Sequence, residues 1–186
     1  MECRCFMIYN MSACGLENVR EMFQVKVYAV ISIAGNQRTE RRTPVDKENE
    51  TNPNWGNWAT NYTIGETAVQ QEGVMLDIKL YCKRTLGDRY IGEVRTSIKY
   101  LYQQANASDG SVMLTCNVKK GGAVSQGQLK FSCRFAEKVI IEQEAKWKKI
   151  LKTGAIEILR VAALGVGLPF DVNVFIGEDI NYGCGS

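Results

Sequence analysis

Between residues 1 and 135 the chain repeats one pattern: short runs rich in β-branched and aromatic residues, each closed by a polar turn. Residues 25–33 form the densest run and stop at Gly35-Asn36. Residues 128–135 alternate with period two and place Leu129, Phe131, Cys133 and Phe135 on one side. On a pleated strand successive side chains point to opposite faces, so such a run buries one face and wets the other. Similar runs occupy residues 5–9, 37–45, 58–64, 74–81, 90–94 and 112–116. Eight short strands with regular turn signals predict an all-β antiparallel sandwich. At least one helical turn is expected over residues 97–105.

The pattern breaks after residue 136. Residues 137–152 have few breakers and many Glu and Lys, and they predict a helix with Val139, Ile140, Trp147, Ile150 and Leu151 as its apolar stripe. Lys146, Lys148, Lys149 and Lys152 make that helix basic. Residues 156–168 are apolar but carry Glu157 and Arg160 and end at Pro169. A transmembrane helix needs about 20 mostly apolar residues, so this run is not read as a span. The expected organisation is a β-domain over 1–135, a basic amphipathic to apolar helical tail over 136–168, and a loose, mildly acidic, Gly-containing terminus over 169–186.

Composition bears mainly on chemistry. The chain contains no histidine, which removes Ser-His-Asp and Cys-His nucleophile systems, the commonest general base, and imidazole metal sites. No catalytic residues and no cofactor are expected. A net charge of +3 is too mild to mark a nucleic-acid binder. Seven cysteines, an odd number without a C-x-x-C pair, read as reduced thiols. The start Met1-Glu2-Cys3-Arg4-Cys5 lacks the apolar core of a signal peptide, so a cytoplasmic location, peripheral at a membrane, is expected.

Several motifs fall in order: Met1-Glu2-Cys3-Arg4, Ser12-Ala13-Cys14-Gly15-Leu16, Val27-Tyr28-Ala29-Val30-Ile31-Ser32-Ile33, Arg42-Thr43-Pro44-Val45-Asp46, Thr51-Asn52-Pro53-Asn54-Trp55 and Leu86-Gly87-Asp88-Arg89-Tyr90-Ile91-Gly92-Glu93-Val94. Together with Gly127-Gln128-Leu129-Lys130-Phe131-Ser132, they resemble the plant cold-regulated C2-domain proteins, the group named after a soybean gene regulated by cold. The resemblance covers residues 1–135. It implies an eight-stranded C2 sandwich of type II topology and a non-enzymatic role in membrane association and protein contact, in stress or defence responses. Longer members carry a Pro/Gly/Tyr-rich segment and a hydrophobic C-terminal anchor; here the first is missing and the second at best degenerate.

Calcium-binding C2 domains place aspartates on the first and third top loops, because Ca²⁺ takes 6–8 oxygen ligands. Aligned on that pattern, the first-loop positions fall at Arg20 and Lys26 and the paired third-loop positions at Cys82 and Arg84, leaving Asp88 alone. A unit charge about 4 Å from another feels about 4 kcal/mol at an effective dielectric near 20, and a divalent ion near one cation roughly twice that. No metal is expected at this site.

Where the acids are lost, a basic cluster stands: Arg20, Met22, Phe23 and Lys26 on the first loop, and Lys83, Arg84, Leu86 and Arg89 on the third. The resemblance puts these loops at one end. Cations flanking apolar tips suit an anionic membrane, each Lys or Arg contributing about 1 kcal/mol near the surface. Solvated loop charges, with Phe23 packed on its own sandwich, are the alternative. Arg38, Arg41 and Arg42, with Lys79 beside them, form a second candidate patch for lipid headgroups; Glu40 interrupts it, and edge-strand protection against aggregation is the favoured reading. Lys146, Trp147, Lys148, Lys149 and Lys152 fit a helix lying at a membrane interface or one packed on the sandwich. The partners expected are anionic membrane lipids and an unidentified protein, without nucleic acid. A protein-interaction adaptor with little lipid binding is the competing function.

Overall fold

A computed structural model describes residues 2–20, 23–140, 156–162 and 171–177, the last two stretches as backbone strands. The domain is built from β1 (Glu2–Cys14), β2 (Val27–Ile33), β3 (Arg41–Arg42), β4 (Asn54–Trp55), β5 (Thr60–Gly65), β6 (Met75–Cys82), β7 (Arg89–Ser97), β8 (Ser111–Lys120) and β9 (Ala123–Phe135). Helix α1 (Glu66–Gln70) follows β5, and α2 (Ile98–Asn106), capped by the Ser97 side chain on the Tyr100 N–H, joins β7 to β8. The pairings are antiparallel, in the order β5-β1-β9-β8-β7-β6-β2-β3, with β4 on β1.

The path folds into two layers at the β7–β8 seam, where a single pair, Glu93 opposite Lys119, joins the strands. Gly92 makes that seam possible. A Cβ there would stand 2.5 Å from Val118 Cγ1 and 2.8 Å from the Lys119 carbonyl oxygen. The core lies between the layers and takes Phe6, Ile8, Tyr62, Ile64, Ile31, Ile33, Leu76, Ile78, Leu80, Ile91, Leu129 and Phe131. Strand β1 keeps its buried face over 13 residues through a bulge. The register shifts between Tyr9 and Ser12, with Asn10 at φ 51°, so Met11 and Ala13 continue the face that Phe6 and Ile8 begin.

The eight expected strands each have a counterpart, and the helix over 97–105 is α2. The third strand is far shorter than expected from residues 37–45. Residues 37–39 form a 3₁₀ turn in which Thr39 Oγ1 accepts the Ile33 N–H, and only Arg41–Arg42 pair with β2. The helical tail expected over 136–168 is corrected in its described residues. There Val139–Ile140 (β10) pairs with β1, and Ile156–Ala162 (β11) forms a hairpin with Asp171–Gly177 (β12) that adds to the β5 edge. An open strand edge presents unpaired N–H and C=O groups, and the β-branched residues of 156–161 suit pairing there. Lys146, Trp147, Lys148, Lys149 and Lys152 lie outside the described residues.

Candidate functional site

Three connections converge at one end of the sandwich: the described residues 15–20 and 23–26 after β1, residues 43–53 before β4, and residues 83–88 after β6. Backbone bonds clasp them. The Lys83 N–H donates to the Lys26 carbonyl at 2.7 Å, Leu16 N–H to the Thr51 carbonyl at 3.0 Å, and Val27 N–H to the Asp46 carbonyl at 3.0 Å. Gly127 of β9 underlies the first loop. At φ 94°, its Cβ position is 2.9 Å from both the Gly15 carbonyl oxygen and Leu16 Cα, so glycine alone suits this approach.

Between the first and third loops runs an open groove of about 560 Å³ lined by Glu17, Asn18, Val19, Arg20, Phe23, Arg84 and Arg89. Arg89 is pinned there by a 2.9 Å bond from Nη1 to the Val19 carbonyl. Arg20 donates from Nη1 to the Gln24 carbonyl at 3.3 Å, and its guanidinium carbon lies 4.9 Å from the Phe23 ring centroid. Phe23 is 69% exposed and Leu86 90%, so neither packs on the sandwich. The groove's carboxylate, Glu17, is ion-paired with Lys120 of β8 at 2.8 Å. Arg89 is exposed and Arg20 and Arg84 are half-buried, with no unpaired acid among the residues lining the groove.

Two carboxylates of the other loops, Asp88 and Asp46, are occupied, while Glu48 and Glu50 stand exposed on the second loop. Asp88 accepts from the Tyr28 hydroxyl at 2.7 Å, the Arg84 N–H at 3.0 Å and Lys83 Nζ at 3.2 Å. The Tyr28 bond first, then the Arg84 N–H, hold its carboxyl at about 2 against desolvation, with a smaller further pull from Lys83. Asp46 accepts the N–H groups of Glu48, Asn49 and Asn54 and the Asn49 amide, all within 2.9 Å. Burial is the largest single influence on it and acts upward, yet these bonds together bring it down to about 2. Both acids thus serve as loop staples, with their lone pairs directed at the chain's own donors. Among the described residues no group of three or more Cys, Asp or Glu side chains is placed to hold a metal.

Of the residues named from sequence, Arg20, Phe23, Arg84 and Arg89 meet at the groove. Lys83 turns aside to Asp88, Leu86 stands at the tip of its loop, and Lys26 contributes its carbonyl to the clasp. Met22 lies outside the described residues. The second patch is not one surface. Arg42 pairs with Val30 and stacks 4.7 Å from the Tyr28 ring centroid, heading an aromatic row through Tyr81 and Tyr90. Arg41 pairs with Ile31 and so points to the opposite face, while Arg38 sits exposed on the 3₁₀ turn. Lys79 shares the Arg42 face through Val30. The role of Tyr28, Asp46 and Glu17 as the site's internal partners was not read from the sequence; Tyr28 gave a signal only as a polar-tipped residue on the non-core side of β2.

No protein-family model matches the chain. Protein SRC2 of Glycine max is 30% identical over 169 residues, covering 90% of this chain and 58% of that protein. The SRC2 homolog of Arabidopsis thaliana is 34% identical over 139 residues, covering 74% of this chain and 42% of that protein. The chain thus spans about half the length of these relatives. Among solved structures, a C2 domain of plant Extended Synaptotagmin 1 superposes with a TM-score of 0.57 at 16% identity, covering 70% of this chain and 92% of that one. That likeness shows the C2 fold. The chain belongs to the SRC2-type family of plant C2-domain proteins.

Proposed function

We propose that this chain is a C2 module that docks on anionic membrane surfaces without calcium, through its first and third loops. The observation that carries this reading is the convergence of Arg20, Arg84 and Arg89 on one groove, flanked by exposed Phe23 and Leu86. Two loop acids, Asp46 and Asp88, are bonded to internal donors, which supports the calcium-independent reading. Guanidinium groups offer planar donors to phosphate and carboxylate headgroups, and an exposed apolar tip gains free energy by leaving water for the acyl boundary. Among the described residues no helix is long and apolar enough to cross a membrane, so contact is assigned to the loop end. The role is non-enzymatic and belongs to plant stress or defence signalling, the setting implied by the family resemblance.

Co-sedimentation with vesicles of phosphatidylcholine alone or mixed with phosphatidylserine, each with calcium and with chelator, tests the reading. Calcium-indifferent, salt-sensitive binding to the anionic vesicles is expected. Binding that requires calcium would overturn the assignment of Asp46 and Asp88 as staples. Absence of binding under every condition would transfer the function to a protein-interaction adaptor.

A further inference from the structure

The loop end carries a fourth projection that the groove does not include. Strands β8 and β9 run past the end of β1, where Cys14 opposes Gln128, and continue as a hairpin through Gly121-Gly122. Lys120 pairs with Ala123 across the turn, and both glycines have positive φ, 60° and 84°, as a two-residue hairpin turn matched to strand twist requires. Three features fasten this finger to the groove. Lys120 holds Glu17 of the first loop at 2.8 Å, Gly127 packs against Gly15 and Leu16, and Lys119 opposes Glu93 on β7, four residues from Arg89.

The chemistry of the finger matches that of the loops. Lys119 and Val124 oppose one another and share a face, and Val124 is 67% exposed. Lys120 is on the other face and neutralises the groove's carboxylate. A valine this exposed on a strand whose inward Val118 neighbour is fully buried is not a core residue. It sits beside a cation at the end of the molecule where Phe23 and Leu86 are also exposed.

We infer that the β8–β9 hairpin is a further membrane-contacting loop, in which Val124 enters the interface while Lys119 meets anionic headgroups and Lys120 keeps the groove cationic. The inference rests on the docking reading above and extends the contact surface from two loops to three. The occupant is a lipid surface: charge complementarity and continuity with the Arg20, Arg84 and Arg89 groove both point to it.

The test is partitioning of the full chain onto vesicles of equal parts phosphatidylcholine and phosphatidylserine, for the wild type and the variants Val124→Asp, Lys119→Glu and Arg84→Glu. Val124 and Lys119 are exposed; the thermal melt of Val124→Asp should match the wild type, and Lys119→Glu, which sets a second acid opposite Glu93, is assayed below its own melting temperature. Val124→Asp is expected to weaken partitioning about tenfold, through loss of one buried side chain. Lys119→Glu should weaken it by a similar factor and reduce its salt dependence. If both bind as the wild type does while Arg84→Glu does not, the hairpin inference fails and the docking reading stands. If the wild type itself does not bind, both fail together.

Discussion

The Tyr28 hydroxyl donates a 2.7 Å hydrogen bond to Asp88 Oδ2, tying the outer face of β2 to the third loop across 60 residues of chain. Tyr28 is 3% exposed, with its ring between Arg42 and Tyr81. The same carboxylate receives the Arg84 N–H, so the bond also sets where Arg84 leaves the loop. Tyr28→Phe keeps the ring and removes the donor. A loss of about 1 kcal/mol is expected in urea unfolding, with faster hydrogen exchange at the Arg84 amide.

Asp46 organises the second loop through bonds to three backbone N–H groups and one side-chain amide. Asp46→Ala leaves those donors to water. A destabilisation of about 1–2 kcal/mol is expected, discounted for partial exposure, and Asp46→Asn should recover part of it. Urea midpoints at constant slope measure both.

The two staples also set the acid limb of stability. Asp46 and Asp88 have folded-state values of about 2 against an ordinary 3.8. A carboxyl depressed on folding stabilises above its unfolded value and loses that contribution as pH falls through its folded one. Stability should therefore decline between pH 4 and pH 2, and Asp88→Asn should flatten that decline. At the other end, burial first and then the bond to Asp88 push the Tyr28 hydroxyl up to about 12 from an ordinary 10. Its contribution holds below pH 10 and is lost between 10 and 12, which Tyr28→Phe should remove from the alkaline unfolding curve.

Gly92 lies where the two layers join, and its φ does not require glycine; the neighbouring backbone does. In Gly92→Ala the new methyl meets the Lys119 carbonyl at 2.8 Å as well as Val118. Val118 can rotate but the carbonyl cannot move without parting β7 from β8. A cost of about 1–3 kcal/mol is expected, seen as a lowered melting temperature. A melting temperature equal to that of the wild type would show that the seam yields.

Phe23 and Leu86 contribute little to the core, being 69% and 90% exposed. Phe23→Asp and Leu86→Asp should leave thermal stability within about 0.5 kcal/mol of the wild type. Each should weaken partitioning onto anionic vesicles about tenfold. Loss of stability in either would mean that the side chain packs where the structure exposes it.

The strands and their buried faces were legible because burial on a sheet leaves a local record. Leu129, Phe131, Cys133 and Phe135 alternate in the sequence and are all buried. The cations of the first and third loops were legible as residue types, though not their meeting at one groove. The separation of Arg41 from Arg42 was also available, since neighbours on a strand face opposite ways; reading them as one patch overlooked that rule. The tail misled in its described residues because a short apolar run such as 156–162 satisfies a helix pattern as readily as a strand pattern when no neighbour is known. Its described residues pair as strands, β12 against the open edge of β5.

By itself the sequence determined the class of fold, the inward faces of the strands, and the presence of cations on the first and third loops. Only the tertiary structure decided which of those cations meet. Arg89 reaches the Val19 carbonyl across 70 residues, Lys120 reaches Glu17 across 103, and Lys83 turns away to Asp88. A hydrophobic pattern specifies which face of a strand is buried but not which strand lies beside it. Loop partners follow from strand order, and strand order is settled by the packing of the whole core.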